Sequence, residues 1–379
     1  MPRARAGQRD DAAAATRTKS SVRAAVNGKS ANKTQNADLL ALLEKCARAR
    51  VVVVGDLVAD EYVLGETERV SREAPVLVVR YERSELRAGC AANAVMNLCA
   101  LGAQVRPVGL VGDDPIGARL RAMLAEAGAD VRGILVAAGE STASKTRILA
   151  GGKNTRRQQI VRLDRDGPRP PEGALRDALV RALRTAARGA DALLVSDYGL
   201  GVPSSLHAEL STLGRSLPLC ADARYSLRTY GGAALLKPNE VELEQAVGRQ
   251  IGDDLRALES AARALLRDVD AGVLLVTRGR SGMAVVRPDL PTVLLPAHGA
   301  HEAVDVTGAG DTVMATMTLA LACKADPVEA ARLANVAGAL VVKKPGTATV
   351  SAAELAAELA VAEVARGGTL AAISGKKRA

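Results

Sequence analysis

The sequence predicts an α/β fold, a three-layer αβα sandwich with a mainly parallel central sheet and a small β-sheet lid. Three observations carry this. Short, continuous apolar runs alternate with longer segments of helical period. Two other stretches interleave apolar and charged residues at period two. The chain's 379 residues, 48% of them hydrophobic, suffice for one large core.

The chain opens on a segment, 1–36, expected to be a disordered basic tail. Positions 1–34 hold eight Lys or Arg against Asp10 and Asp11, with no apolar period, so they cannot bury enough surface to offset their ordering. Lys376, Lys377 and Arg378 mark a second basic tail, 367–379. Taking the +6 of the first stretch and the +3 of this triplet from the formal +9 leaves the body between them neutral. That disfavours a nucleic-acid partner, as does the absence of Trp and Phe, which removes stacking platforms. The tail as an arm for nucleic acid or acidic membrane is the alternative to a solubilising role. No apolar core follows the early arginines, and no run approaches the ~18 residues of a membrane span. No membrane contact and a cytoplasmic location are expected. Cys46, Cys90, Cys99, Cys220 and Cys323 are scattered without metal-ligand spacing, so reduced thiols are the default.

One domain is expected over 37–366. A helical stretch over Asp38–Arg50 leads into Val51–Val54, a fully buried strand closed by Gly55 and Asp56. Further strands are expected at Val105–Val111, Ala192–Ser196, Leu217–Ala221, Ala234–Leu236 and Gly272–Thr277. Helices are expected among them at Asp114–Ala127, Glu172–Arg188 and Asp253–Asp268, and later at Val313–Cys323 and Ala352–Ala365. Alternation of this kind implies a parallel sheet with helices on both faces. The period-two stretches, about 61–81 and 144–164, would form the lid. A lid over the carboxyl ends of the strands would exclude water from a site there.

The strongest chemical signal is Asp305-Val306-Thr307-Gly308-Ala309-Gly310-Asp311-Thr312 before a helix. Small residues at a helix start let backbone N–H groups converge, and the helix dipole adds positive charge, so the turn can cradle phosphoryl oxygens. Asp311 in the first turn could then accept the proton of an attacking hydroxyl. An acidic cap on a Gly-rich helix entry would look the same. Lys237-Pro238-Asn239-Glu240-Val241-Glu242 spaces an amide and a carboxylate one helical turn apart, which suits Mg²⁺ with much of its hydration shell and equally suits a capping box. Neither a P-loop nor a Gly-x-Gly-x-x-Gly segment after a strand is present.

The segment ending in Asp311 resembles the signature of the PfkB, or ribokinase-like, carbohydrate kinases. The resemblance implies that Asp311 is the catalytic base and that Gly308, Ala309 and Gly310 form the anion hole. It implies ATP and Mg²⁺ as cofactors, and in some members K⁺. Gly89-Cys90-Ala91-Ala92-Asn93 matches the family's sugar-side Gly-Gly-x-x-x-Asn, with Cys90 in place of the second glycine. Asp60 matches the aspartate that binds sugar hydroxyls. Asn239, Thr277, Gly279, Gly282, Asn335 and Gly346 match the nucleotide side, although a plain hairpin turn would account equally for Thr277–Gly282. Glu242 matches the carboxylate that organises Mg²⁺ through water. Asp305 and Thr307 lie where some members hold a monovalent cation.

Within the family, the body from Val51 to Val350 resembles the kinase half of the bifunctional heptose-7-phosphate kinases of lipopolysaccharide precursor synthesis. Glu73-Ala74-Pro75-Val76, Arg87–Asn93, Gln158–Asp164 and Val195-Ser196-Asp197-Tyr198 carry that likeness. Departures are Asp222-Ala223-Arg224-Tyr225, where that half has Asp-Pro-Lys-Gly, and an apparent insertion at Gly151–Arg156. The implied substrate residues are Asp60, Arg87, Gly89, Cys90, Asn93, Lys145 and Gln159. The substrate's phosphate would draw on Arg69, Arg72, Arg87, Lys145, Arg147, Arg156 and Arg157, among which the sequence does not choose. His207, His298 and His301 form no ligand set. A homodimer through the lid sheet is a further implication. Rival readings are another sugar kinase of the family, acting on ribose, fructose 6-phosphate or a keto-deoxy sugar acid; a non-catalytic sugar or nucleotide sensor; and a nucleic-acid binder using its basic ends.

Overall fold

The computed structural model describes residues 36–152, 157–299 and 303–361. The tails expected at 1–36 (position 36 excepted) and 367–379 lie outside these residues. So do Arg156, His301, most of the Gly151–Arg156 insertion and the last four positions of the Ala352–Ala365 helix. Two compact units are distinguished, the main one being Lys45–Leu355. In the smaller, built from the described residues up to Glu44 and from Ala356 onward, Asn36 Nδ2 donates to the Leu359 carbonyl at 3.1 Å.

Helix α1 (36–46) precedes β1 (Arg50–Gly55), and a long hairpin of β2 (Leu57–Val70) and β3 (Leu77–Cys90) follows. Next come α2 (Ala91–Ala100), β4 (Gln104–Gly112), α3 (Pro115–Glu126), β5 (Ile134–Ala137), β6 (Ser144–Gly151), β7 (Gln158–Arg165) and α4 (Gly173–Ala186). The second half contains β8 (Ala192–Asp197), α5 (Val202–Ser205), α6 (His207–Gly214), β9 (Leu219–Ala223), β10 (Leu235–Leu236), α7 (Glu240–Val247) and α8 (Leu255–Val269). It ends with β11 (Val273–Thr277), β12 (Met283–Val286), β13 (Val293–Leu295), α9 (Ala309–Ala322), α10 (Pro327–Val341) and α11 (352–361).

Nine strands form the central sheet in the order β13-β12-β11-β10-β9-β8-β1-β4-β5. From β11 to β5 all neighbours are parallel, while β12 and β13 add an antiparallel edge. The apolar run of β1 is buried on both faces, as a central parallel strand requires. Val52 and Val54 enter a cluster with Leu179 and Leu183 of α4, Leu210 of α6, and Leu258 and Leu265 of α8. Val51 and Val53 point the other way by strand alternation, toward the face where α2, α9 and α10 pack together. Each such valine contributes about 1.5–3 kcal/mol through burial.

Helix starts follow local chemistry. Asp114 accepts from Gly117 N–H at 2.8 Å with Pro115 at the first position of α3, and Asp254 accepts from Arg256 N–H at 2.8 Å at the start of α8. Elsewhere the structure differs from expectation. The strand expected at Leu217–Ala221 runs Leu219–Ala223, because Pro218 has no N–H for the ladder and serves only as acceptor, from Leu193 at 2.9 Å. Helix α9 begins at Ala309, four residues before the expected Val313, because Gly308 takes a left-handed φ of 78° and caps it. Helices α2 and α10 were not singled out from sequence. Both are Ala-rich and widely buried, so they show little of the polar stripe that marks a surface helix.

The lid is a four-stranded sheet in the order β3-β2-β6-β7. Its first hairpin is longer than the 61–81 stretch at both ends. Leu57–Asp60 are buried and carry no period-two signal, and β3 continues to Cys90. Arg87–Cys90 therefore form the root of the lid.

Candidate active site

Polar residues close the apolar strands along the carboxyl edge of the sheet: Asp56 after β1, Asp197 and Tyr198 at β8, Asp222 in β9, Lys237 after β10 and Thr277 in β11. Because these strands are parallel neighbours, the residues share one edge, where ligands of open α/β sheets bind.

Asp311 lies in the first turn of α9 and is 5% exposed. Asn93 Nδ2 donates to its Oδ2 at 2.8 Å, and the Tyr198 hydroxyl donates to its Oδ1 at 3.0 Å. Burial pushes this carboxyl up to about 7; the Asn93 bond opposes the shift, the charge of Asp222 adds to it, and Tyr198 and Lys237 oppose it. A base that titrates near neutral pH can take a proton and release it again.

The turn before Asp311 is shaped by close approach. A Cβ on Gly308 would meet Asn93 Nδ2 at 2.5 Å, at a φ where side chains are already strained. Ala309 N–H bonds the Val306 carbonyl at 3.2 Å, so of the expected anion hole Gly310 keeps its N–H in the open first turn of α9, where the N–H of Asp311, outside the expected set, joins it. Lys237 Nζ is 3.4 Å from where a Gly310 Cβ would be. It pairs with Asp222 at 3.0 Å, the Lys237 side chain being buried and that of Asp222 half-buried. Burial works against the Lys237 charge, but Asp222, Glu242 and Asp311 outweigh it and hold the ammonium above its ordinary value.

Among the residues expected to meet the nucleotide, Asn239 caps α7. Its Oδ1 accepts from Glu242 N–H and Glu242 Oε2 accepts from Asn239 N–H, each at 2.8 Å, a full capping box. Burial pushes the Glu242 carboxyl up, against the pull of Asn239 N–H and Lys237. Asn239 bridges Thr277 of β11, and the following turn is indeed a hairpin, with Gly279 at φ 52° and Gly282 at φ 85°. Asn335 on α10 donates to the Pro296 carbonyl at 2.7 Å.

Among the residues expected to meet the sugar, lid register places Arg87, Asp60 and Lys145 opposite one another on β3, β2 and β6. Asp60 is buried and pairs with Arg147 at 2.6 Å, and a Cβ on Gly89 would meet Asp60 Oδ2 at 2.7 Å. Cys90 holds a φ of 53° and a ψ of −128°, glycine territory. Its buried thiol, pushed up by burial, lies 3.6 Å from Lys145 Nζ. Of the candidate phosphate-binding cations, Arg87, Lys145 and Arg147 are half-buried at the lid root, whereas Arg69, Arg72 and Arg157 are exposed. Gln159 is exposed on the edge strand β7, opposite Leu149, away from this group. A cavity of about 350 Å³ opens beside Asn93, lined also by Arg87, Met96, Lys344 and Thr347. A larger one, about 520 Å³, lies between Arg106, Arg132 and Arg188, remote from these groups.

Asp305 accepts from Thr307 N–H at 2.9 Å and from Gly346 N–H at 2.8 Å, tying two loops together. Burial raises its carboxyl, but these bonds outweigh it and hold it below the ordinary value. Gly346, at φ 67°, packs so closely that a Cβ would meet Arg87 Nη1 at 2.5 Å.

Tyr198, Asp222 and Lys237 were not among the site residues expected from sequence. The available signal was the polar residue closing each apolar strand.

The pfkB family carbohydrate kinase pattern matches residues 48–161 and 213–354. A bifunctional protein HldE of Trichlorobacter lovleyi is 40% identical over 324 residues, covering 84% of this chain and 65% of that protein. The one from Citrifermentans bemidjiense is 40% identical and covered over 64% of its length, so the chain spans just under two thirds of these bifunctional relatives. A D-beta-D-heptose 7-phosphate kinase of Bordetella bronchiseptica is 42% identical over 318 residues, covering 83% of this chain and 97% of that one. In fold, the chain is similar to Arabidopsis thaliana ribokinase complexed with ribose and ATP (TM-score 0.66, 20% identity, 82% of this chain and 99% of that one). It is also similar to Escherichia coli phosphofructokinase-2 in complex with potassium (TM-score 0.68, 19% identity, 83% and 99%).

Proposed function

The chain belongs to the pfkB family of carbohydrate kinases, and on that premise we propose that it transfers the γ-phosphate of ATP to the C1 hydroxyl of D-glycero-D-manno-heptose 7-phosphate, giving the 1,7-bisphosphate. The observation that carries the chemistry is the buried Asp311 carboxylate at the start of α9, gripped by Asn93 and Tyr198. The substrate rests on the heptose-named relative, matched over 97% of its length.

Asp311 accepts the proton of the attacking hydroxyl as the new O–P bond forms and the bond to ADP breaks. The N–H groups of Gly310 and Asp311, the α9 dipole and the Lys237 ammonium face the charge of the transferring group. Asp60, Asn93, Gly89 and Cys90 line the sugar side, with Arg87, Lys145 and Arg147 available to the substrate's phosphate.

Kinases of this family use ATP with Mg²⁺, which neutralises phosphate charge when bound. Glu242 fits that role through water: Asn239 N–H engages only Oε2. Among the described residues no cluster of three or more His, Cys, Asp or Glu could cage a metal, as suits an ion that keeps its waters and binds substrate phosphates. A monovalent cation at Asp305 and Thr307 would reinforce the two loops that Asp305 joins, and comparing K⁺ with Na⁺ in turnover assays tests it. Exposed Val70, Leu77, Tyr81, Ile160 and Leu163 on the lid suit a homodimer through that sheet. Tyr81→Asp should then halve the mass by light scattering. No helix among the described residues is long and apolar enough to cross a membrane, and the cytoplasm, where ATP is found, is the proposed compartment.

The deciding experiment is ADP release with heptose 7-phosphate beside fructose 6-phosphate. Equal or reversed rates would sink the substrate assignment. Asp311→Asn should lower kcat by roughly 10²–10⁴-fold, and full turnover in that variant would sink the base.

A further inference from the structure

Strand β8 ends at Asp197, and the turn that follows is pinned from two sides. The buried Asp56 carboxylate accepts from the N–H groups of Tyr198 at 2.9 Å, Leu200 at 3.0 Å and Val202 at 3.2 Å. Asp197 accepts from the Tyr230 hydroxyl at 2.6 Å and from Gly199 N–H at 2.9 Å. The backbone of Tyr198 thus has little freedom. Its ring packs against Val58, Cys90 and Ala143, with Lys145 Nζ 5.4 Å from the ring centroid. The phenol is thereby aimed at Asp311 Oδ1.

We propose that Tyr198 is the positioning residue of the base: its hydroxyl holds one carboxylate oxygen of Asp311 while Asn93 holds the other, fixing the plane in which the base meets the sugar hydroxyl. This rests on Asp311 being the base of the proposed kinase. A carboxylate offers about four acceptor sites, so two donors leave room for the substrate's hydroxyl. A carboxylate with one donor could turn about its terminal torsion, which is broad; with two it cannot turn without breaking both bonds.

Both donors also favour the ionised form. The other groups that act on Asp311 are Asp222, which raises its proton affinity, and Lys237, which lowers it. Cys90 stays a neutral thiol because burial pushes it up, and Lys145 pulls the other way on that thiol. Tyr198 itself is pushed well above its ordinary value, first by the Asp311 charge and then by burial, so it serves as donor throughout the working range.

Tyr198→Phe removes the hydroxyl and keeps the ring with its packing. Two readouts test the role: titration of the Asp311 carboxyl by ¹³C NMR in the substrate-free protein, assigned with Asp311→Asn, and the pH profile of kcat. The expected result is an Asp311 midpoint above the wild-type value, an acid limb of kcat displaced the same way, and kcat lowered about tenfold with KM for ATP little changed. An unmoved Asp311 titration overturns the proposal. So does a loss of kcat without any titration shift, which would mark Tyr198 as merely structural. Because the NMR readout needs no sugar, a wrong substrate shows separately, as wild-type protein that titrates normally and does not turn over heptose 7-phosphate.

Discussion

Asn93 Nδ2 donates to Asp311 Oδ2 at 2.8 Å across 218 positions of sequence, joining the first residues of α2 to the first turn of α9. Asn97 Nδ2 donates to the Asn93 carbonyl at 3.0 Å and to its Oδ1 at 3.2 Å, and the Thr312 hydroxyl donates to Asn97 Oδ1 at 3.0 Å. The chain returns to the residue beside Asp311. Asn93 was expected on the sugar side; here it also grips the carboxylate proposed as the base.

That grip predicts the effect of a near-isosteric change. Asn93→Asp would set a second carboxylate beside Asp311, where two like charges cannot both ionise. Turnover at pH 7 should fall at least about 100-fold, against about tenfold for Asn93→Ala. A steady-state comparison in which Asn93→Asp stays within threefold of wild type would remove the contact from the mechanism.

The raised Asp311 carboxyl couples activity to stability. Only the ionised form accepts a proton, so kcat should rise as pH passes through about 7. Its folded value lies above the ordinary 3.8, so the stability it contributes is complete below about pH 4 and is lost as pH rises through about 7. Asp56, pushed up to about 6 mainly by burial, acts with the same sign. Asp311→Asn should therefore be far slower yet more stable at pH 8, by up to about 4 kcal/mol, and nearly neutral at pH 4. Urea midpoints at the two pH values decide it; equal effects at both would contradict the coupling.

The Lys237–Asp222 pair joins a buried ammonium to a half-buried carboxylate. Lys237→Met strands a charge in the interior and should cost about 3–5 kcal/mol. Adding Asp222→Asn should recover most of that stability without recovering turnover, since the ammonium beside Gly310 is still missing. Denaturation and kcat on the single and double variants test both halves; a double variant as active as wild type would deny Lys237 a part in phosphoryl transfer.

Cys90 departs from the family's glycine yet keeps a glycine-like backbone, whose strain costs about 1–3 kcal/mol. Cys90→Gly relieves that strain while losing a buried side chain, and should stay within about 1 kcal/mol of wild type. Cys220→Gly, inside β9, has no strain to relieve and should cost about 2–3 kcal/mol. Matching losses in thermal unfolding would show the Cys90 strain to be negligible.

Much of this was readable in advance where the signal is local. The helices expected near Asp114 and Asp253, the buried run of β1, the Asn239–Glu242 spacing and the turn ahead of Asp311 each depend on a few consecutive residues. Boundaries shifted where a single residue overrides the apolar period, at Pro218, which has no N–H for β9, and at Gly308, whose left-handed φ starts α9 early. Gln159, placed with the substrate by resemblance, stands exposed on a lid edge strand, because strand register decides which lid residues reach the root.

The sequence by itself determined the alternation of strands and helices and the glycine-rich helix entry that carries Asp311, because period and turn chemistry are written in neighbouring residues. Only the tertiary structure decided that Asn93 and Tyr198 hold the Asp311 carboxylate, that Lys237 pairs with Asp222, and that Arg87, Lys145 and Arg147 gather at the lid root. The first two contacts close gaps of 218 and 113 positions, which takes the α2–α9 packing and the position of β8 beside β1. The proton affinity of Asp311 follows from the same cause, since burial is a property of the fold and not of any one segment.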